Sequence, residues 1–91
     1  MDGFVYVLIS RKDHKRYIGS TTGLSRRLSD HNSGLVKFTK NRRPLDLYAY
    51  QKCDSIKEAR CIEKLYKRSR GTFDRAIINK ELIISGSGAV R

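Results

Sequence analysis

Five side chains suited to phosphate chemistry stand in this order along the chain: Tyr6, Tyr17, Arg27, His31 and Glu63. An arginine is always charged, and its fork of donors matches phosphate oxygens, so Arg27 suits the stabilisation of charge growing on a phosphoryl group. A carboxylate such as Glu63 suits a hard divalent cation, and one suffices for Mg²⁺ or Mn²⁺ when waters and substrate phosphate complete the shell. The base has two candidates. A free phenol has a pKa of about 10, so ionising a tyrosine at pH 7 costs about 4 kcal/mol unless nearby cations lower it. A histidine, with a reference value near 6.5, is already mostly neutral, and on residue chemistry alone His31 is the cheaper base.

The elements that carry these residues make their positions unusual. Leu24 to Asn32 reads as a helix in which positions 24, 27, 28 and 31 share the inward face. Two of these are leucines, as a core stripe requires; the others are Arg27 and His31, which are costly there unless paired. Arg26 and Asp30, at i,i+4 on another face, read as an ordinary solvated ion pair. Ser55-Ile56-Lys57-Glu58 fits a capping box that opens a second helix running to about Lys67. Its apolar stripe is Ile56, Ala59, Ile62 and Tyr66, and Glu63 falls within it. Structural alternatives stand beside the chemical reading. Arg27 can lay its stem along the core with its head in water, His31 can bond a backbone carbonyl, and Glu63 can pair with Arg27. Either tyrosine can be a cross-strand packing residue.

The rest of the chain reads as one α+β unit without repeats. Phe4 to Ile9 and Arg16 to Ile18 are β-prone runs joined by the polar link Ser10 to Lys15, a hairpin pattern. Thr22 is the expected N-cap of the first helix, which ends near Gly34. Leu45 to Cys53 reads as a third strand, with Leu45, Leu47 and Ala49 alternating against Asp46, Tyr48 and Tyr50. Thr72 is placed to cap a third helix, giving the order β-β-α-β-α-α. Residues 1–84 form the expected domain, and the Gly/Ser-rich residues 85–91 read as a disordered tail.

Ninety-one residues, 38% of them apolar, allow one domain with one modest core. Twenty Lys and Arg face nine acids, a net charge of +11, and such a field attracts polyanions, nucleic acid above all. Lys37, Lys40, Arg42 and Arg43 crowd one loop, and Lys64, Lys67 and Arg68 cluster at the end of the second helix. Phosphate contacts of this kind hold a backbone without reading bases. No apolar run reaches the roughly 20 residues a membrane span needs, so no membrane partner is expected. Cys53 and Cys61 lack a metal-binding spacing, and with strand-like sequence from the start and no leader they read as reduced thiols of a cytoplasmic protein.

Phe4-Val5-Tyr6, Tyr17-Ile18-Gly19, Arg27, His31 and Glu63, in that order, resemble the motifs of the GIY-YIG nuclease superfamily, in particular its small stand-alone members, from about Phe4 to Tyr66. The Ser20-Thr21 and His31-Asn32-Ser33-Gly34 runs are typical of the latter. The resemblance implies a three-stranded antiparallel sheet flanked by helices and metal-dependent hydrolysis of phosphodiester bonds. It makes Tyr6 and Tyr17 the motif tyrosines, Arg27 the catalytic arginine and Glu63 the ligand of one Mg²⁺ or Mn²⁺ ion. His31 falls where relatives carry a tyrosine or histidine close to the reacting phosphate. The resemblance favours Tyr17 as base, so Tyr17 and His31 both stand. Phe4 replaces the glycine of the family name, and Ser20 stands where some relatives have a lysine near the nucleophilic water. No asparagine matches the one that supports the site in DNA-repair relatives, and no second module is attached. The expected activity is an endonuclease of little sequence specificity, acting on DNA ahead of RNA, with a protein partner or homodimer as a source of specificity. The competing readings are a non-catalytic nucleic-acid-binding module of the same fold and a basic protein–protein adaptor.

Overall fold

A computed structural model of the chain describes residues 2–69 and 83–84. The third helix expected after Thr72 and the expected tail at 85–91 lie outside the described residues. Strand β1 (Gly3–Ser10) and strand β2 (Arg16–Thr21) form the antiparallel hairpin, with Leu8 opposite Tyr17 and Tyr6 opposite Gly19. Ser10 organises its turn, its Oγ accepting from the amides of Lys12 and Asp13. Helix α1 (Leu24–Asn32), strand β3 (Leu45–Cys53) and helix α2 (Ile56–Arg68) follow. β3 pairs antiparallel with the free side of β1, and a two-residue strand β4 (Ile83–Ile84) pairs with β3, giving the order β2-β1-β3-β4. The expected three-stranded antiparallel sheet flanked by helices is therefore present, with a short fourth strand on one edge. β1 is central and β2 is the opposite edge.

The strand period sends alternate residues of β1 to opposite faces. On one face Tyr6, Leu8 and Leu45 are buried with Leu24 and Leu28 of α1; on the other Val5, Val7, Ala49 and Cys53 are buried with Ala59 and Tyr66 of α2. The expected grouping of Leu45, Leu47 and Ala49 on one face does not hold. Val7 pairs with Ala49 but Leu8 with Leu47, so Tyr48 is an extra residue in β3. This bulge moves Ala49 to the α2 face and leaves Leu45 and Leu47 on the α1 face.

The helix ends differ in part from expectation. Gly23, not Thr22, is the N-cap of α1, and no side chain caps it. The hydroxyl of Thr21 instead accepts from the Gly23 amide across the tight turn out of β2. At the other end Gly34 takes a left-handed φ of +87°. Its N–H bonds the carbonyl of His31 while that of Leu35 bonds Asp30, the paired closure of a Schellman turn. For α2, the Ser55 hydroxyl accepts from the Glu58 amide as the capping box requires, while the Glu58 carboxylate reaches one residue further back, to the Asp54 amide.

Candidate active site

The site begins with the absence of a side chain at Gly19. A Cβ there would lie 2.5 Å from Oη and 2.6 Å from Cζ of Tyr6. Glycine at this point of the hairpin lets the Tyr6 ring lie across β2 and reach α1. Its hydroxyl meets His31 Nε2 at 2.9 Å and accepts from Arg27 Nε at 3.4 Å. His31 is fully buried, and its Nδ1 meets Thr39 Oγ1, also fully buried, at 2.7 Å. Its partners are thus two side chains rather than a backbone carbonyl.

Donor capacity fixes the direction of this chain of bonds. Arg27 can only donate, so the Tyr6 proton must point elsewhere, and His31 Nε2 is its acceptor. His31 then carries its proton on Nδ1 and donates to Thr39, whose own hydroxyl faces the Val36 carbonyl at 3.5 Å. The reverse direction would leave a buried Tyr6 proton without an acceptor, at a desolvation cost of about 1–3 kcal/mol. Ionisation follows the same logic. Burial pushes the Tyr6 phenol up to about 12, against the opposing pull of Arg27. Burial, then the Arg27 charge, pushes His31 down to about 4. The Tyr6 bond in turn raises Arg27. At neutral pH the set is a neutral histidine, a neutral phenol and a cation.

Tyr17 is half-buried on the same face, its ring centroid 6.3 Å from that of Tyr6 and 5.0 Å, edge-on, from that of His31. Glu63 approaches from the α2 face around the β2 edge. One carboxylate oxygen accepts from Ser20 at 2.6 Å and the other from Lys67 at 2.7 Å, and the Lys67 ammonium also lies 5.7 Å from the Tyr17 ring centroid. Glu63 therefore pairs with Lys67, one turn along α2, and not with Arg27. Among the described residues the carboxylate paired with Arg27 is Asp30, at 4.0 Å. The expected Arg26–Asp30 pair is replaced by this contact.

Arg27, Ser20 and Asp30 line one cleft of about 230 Å³ together with Arg26 and Arg60. The other basic residues sort into two groups. Lys37, Lys64 and Arg68 are exposed, and Lys40 and Arg43 line a second, larger cleft of about 540 Å³ with Lys12 and Asn41. Arg42 does not join them. Its Nε lies 3.3 Å from Asp13 and its carbonyl accepts from Ser10, so it ties the hairpin turn to the loop before β3. Lys67, expected among the surface cations, stands inside the site. Thr39 and Arg60 are contributors that sequence reasoning missed, and Ser20, noted there only as the replacement for a lysine, contributes as the hydrogen-bond partner of Glu63. Of the two missed residues Arg60 alone carried a signal, being three residues before Glu63 and hence on its side of α2.

These positions fit a divalent ion in a limited sense. Among the described residues no three His, Cys, Asp or Glu side chains converge. The Glu63 carboxylate already holds one cation, the Lys67 ammonium, on one oxygen, while the Ser20 hydroxyl donates to the other. That suits Mg²⁺ or Mn²⁺ sharing its shell with water and phosphate.

The hairpin, the arginine-bearing helix and the glutamate-bearing helix all lie within residues 2–76, which match the model of the GIY-YIG catalytic domain, and the chain belongs to that family. The family is a nuclease superfamily. Within it the chain is similar to small proteins of the UPF0213 group. It is 38% identical over 80 residues to one from Listeria welshimeri, covering 86% of this chain and 88% of that one. With one from Streptococcus pneumoniae it shares 44% over 68 residues, covering 74% and 68%. The solution structure of a UPF0213 protein from Bacillus halodurans aligns with a TM-score of 0.53 at 34% identity, covering 89% of this chain and 87% of that one.

Proposed function

We propose that this protein is a metal-dependent endonuclease that hydrolyses nucleic-acid phosphodiester bonds, DNA ahead of RNA, with little discrimination of sequence. The observation that carries the reading is that Arg27 and Ser20 line one arginine-rich cleft, with the Ser20 hydroxyl bonded to Glu63 and the Glu63 partner Lys67 lying against the Tyr17 ring. Arg26 and Arg60 bring the phosphate in by charge. Arg27, held through Nε by the Tyr6 hydroxyl, keeps its terminal nitrogens for the phosphoryl oxygens, where charge grows during hydrolysis. Glu63 would hold a divalent ion, which when bound would supply neutralisation of the leaving oxygen. Tyr17, half-buried and beside the Lys67 ammonium, takes the proton of the attacking water in this reading. His31 is sealed from solvent with both nitrogens engaged, so its work is to hold Tyr6 rather than to touch the phosphate. Lys67 brings to Tyr17 the positive charge that Ser20 does not supply from its own position.

Cleavage of single-stranded, duplex and branched DNA and RNA with Mg²⁺ or Mn²⁺ tests this. Arg27→Ala and Tyr17→Phe should each lower the rate by about 10²-fold or more while binding persists. Glu63→Gln should abolish the dependence on added metal together with the activity. Binding by the wild type with no cleavage of any substrate would instead identify a nucleic-acid-binding module that kept the fold.

A further inference from the structure

The chain leaving α1 makes a turn with an inner and an outer side. Val36 and Thr39 point inward and are buried; Leu35 and Phe38, also three residues apart, point outward and are 76% and 80% exposed. A Schellman turn commonly packs its last residue on the helix it closes. Here that residue is Leu35, and the helix offers only Ser29 and Asp30 at the matching positions. Phe38 is equally committed outward, because the Thr39 amide bonds the Val36 carbonyl and the Thr39 hydroxyl is locked to His31. Cations surround the pair. Lys37 and Lys40 are exposed on either side of Phe38, and Lys40 lines the 540 Å³ cleft with Lys12 and Arg43.

We propose that Phe38, with Leu35 beside it, is a base-stacking wedge, and that the preferred substrate is nucleic acid with unpaired bases near the scissile phosphate: a single strand, a flap or a strand junction. The proposal deepens the nuclease reading by naming its substrate class. A flat apolar face rimmed by cations suits a nucleobase whose backbone the cations hold, and stacking of this kind does not depend on sequence. Uninterrupted duplex offers no free base face without the cost of unstacking a step. The wedge also has a fixed place relative to the chemistry. Thr39, next to Phe38, bonds His31, which bonds Tyr6, which holds Arg27. A stacked base is thereby set at a constant offset from the arginine that would hold the phosphate.

The experiment uses the full chain without metal and oligonucleotides carrying 2-aminopurine, in a single strand, at the branch of a fork and inside a blunt duplex. The wild type should quench the fluorophore in the first two. Phe38→Ala should lose the quench and bind them on the order of tenfold more weakly, with duplex affinity unchanged, and Phe38→Trp should restore both. Equal weakening on all three substrates, or on none, would overturn the wedge. So would sedimentation showing that Phe38→Ala turns a dimer into a monomer with nucleic-acid affinities intact, which would assign the patch to a second copy of the chain. Cleavage with Mg²⁺ is read separately. Stacking by a wild type that cuts nothing removes the nuclease reading and leaves the wedge, whereas cutting indifferent to Phe38→Ala removes the wedge and leaves the nuclease.

Discussion

At the scale of single residues, the inward charges of α1 turn out to be one hydrogen-bonded line, and burial sets its properties. His31 titrates near 6.5 in an unfolded chain and at about 4 in the fold. Between these values the unfolded chain takes up a proton that the folded one refuses. Stability from this group is thus constant above pH 6.5 and falls as the pH drops from 6.5 towards 4, by about 3 kcal/mol in full. Urea unfolding at pH 7.5 and 4.5 should show His31→Gln losing less stability over this interval than wild type; equal losses would contradict a buried neutral histidine. Gly19 belongs to the same line. Gly19→Ala should push the Tyr6 ring off both partners, costing about 1–3 kcal/mol and reducing cleavage with it. In a Tyr6→Leu background the stability cost of Gly19→Ala should shrink, and full additivity would show that the two do not meet.

At the scale of elements, the tandem of hairpin, helix, strand and helix was legible because each is written in local signals: β-prone runs, helical stripes, a cap and a glycine at 34. The candidate site was legible for a different reason. Arg27, His31 and Glu63 sit where periodicity demands apolar side chains, so they stood out against their own elements. What could not be read was set by contacts between elements. The β3 bulge at Tyr48 depends on its register with β1, the buried partner of His31 comes from a loop eight residues away, and the choice of Lys67 over Arg27 for Glu63 depends on which side of β2 the second helix packs. Asn32 is another such contact. Its side-chain amide donates to the Leu45 carbonyl at 2.9 Å and its oxygen accepts from the Leu45 amide at 2.8 Å, joining the end of α1 to the start of β3. Asn32→Ala strips both partners from Leu45, whose side chain is buried, and should cost about 1–3 kcal/mol in chemical denaturation. A loss within about 0.5 kcal/mol would mean that water replaces the clamp without penalty.

For the whole molecule, the +11 charge matters less than where its cations are free to act. Arg11 is held by Asp46, Arg42 by Asp13, Lys52 by Asp2 and Lys67 by Glu63. Arg26, Arg27 and Arg60 border the cleft at the start of α1, and Lys12, Lys40 and Arg43 the cleft that includes Asn32 at its end. A nine-residue helix spans about 13 Å, a length that a few nucleotides of one strand would cover between the residues at its two ends. Sequence could count these cations but not sort them, because the partners of Arg42 and Arg11 lie about thirty residues away in the chain. The sorting predicts a graded response to salt. Each lysine or arginine that contacts a phosphate adds nearly one unit to the slope of log affinity against log salt, through the counterion it releases. Arg60→Ala and Lys40→Ala should each lower that slope by about one while leaving stability unchanged. Arg42→Ala should do the reverse, leaving the slope alone and lowering the unfolding free energy, since its guanidinium is engaged with Asp13. A slope that falls as much for Arg42→Ala as for Arg60→Ala would show that charge acts here as a diffuse field rather than through these two clefts.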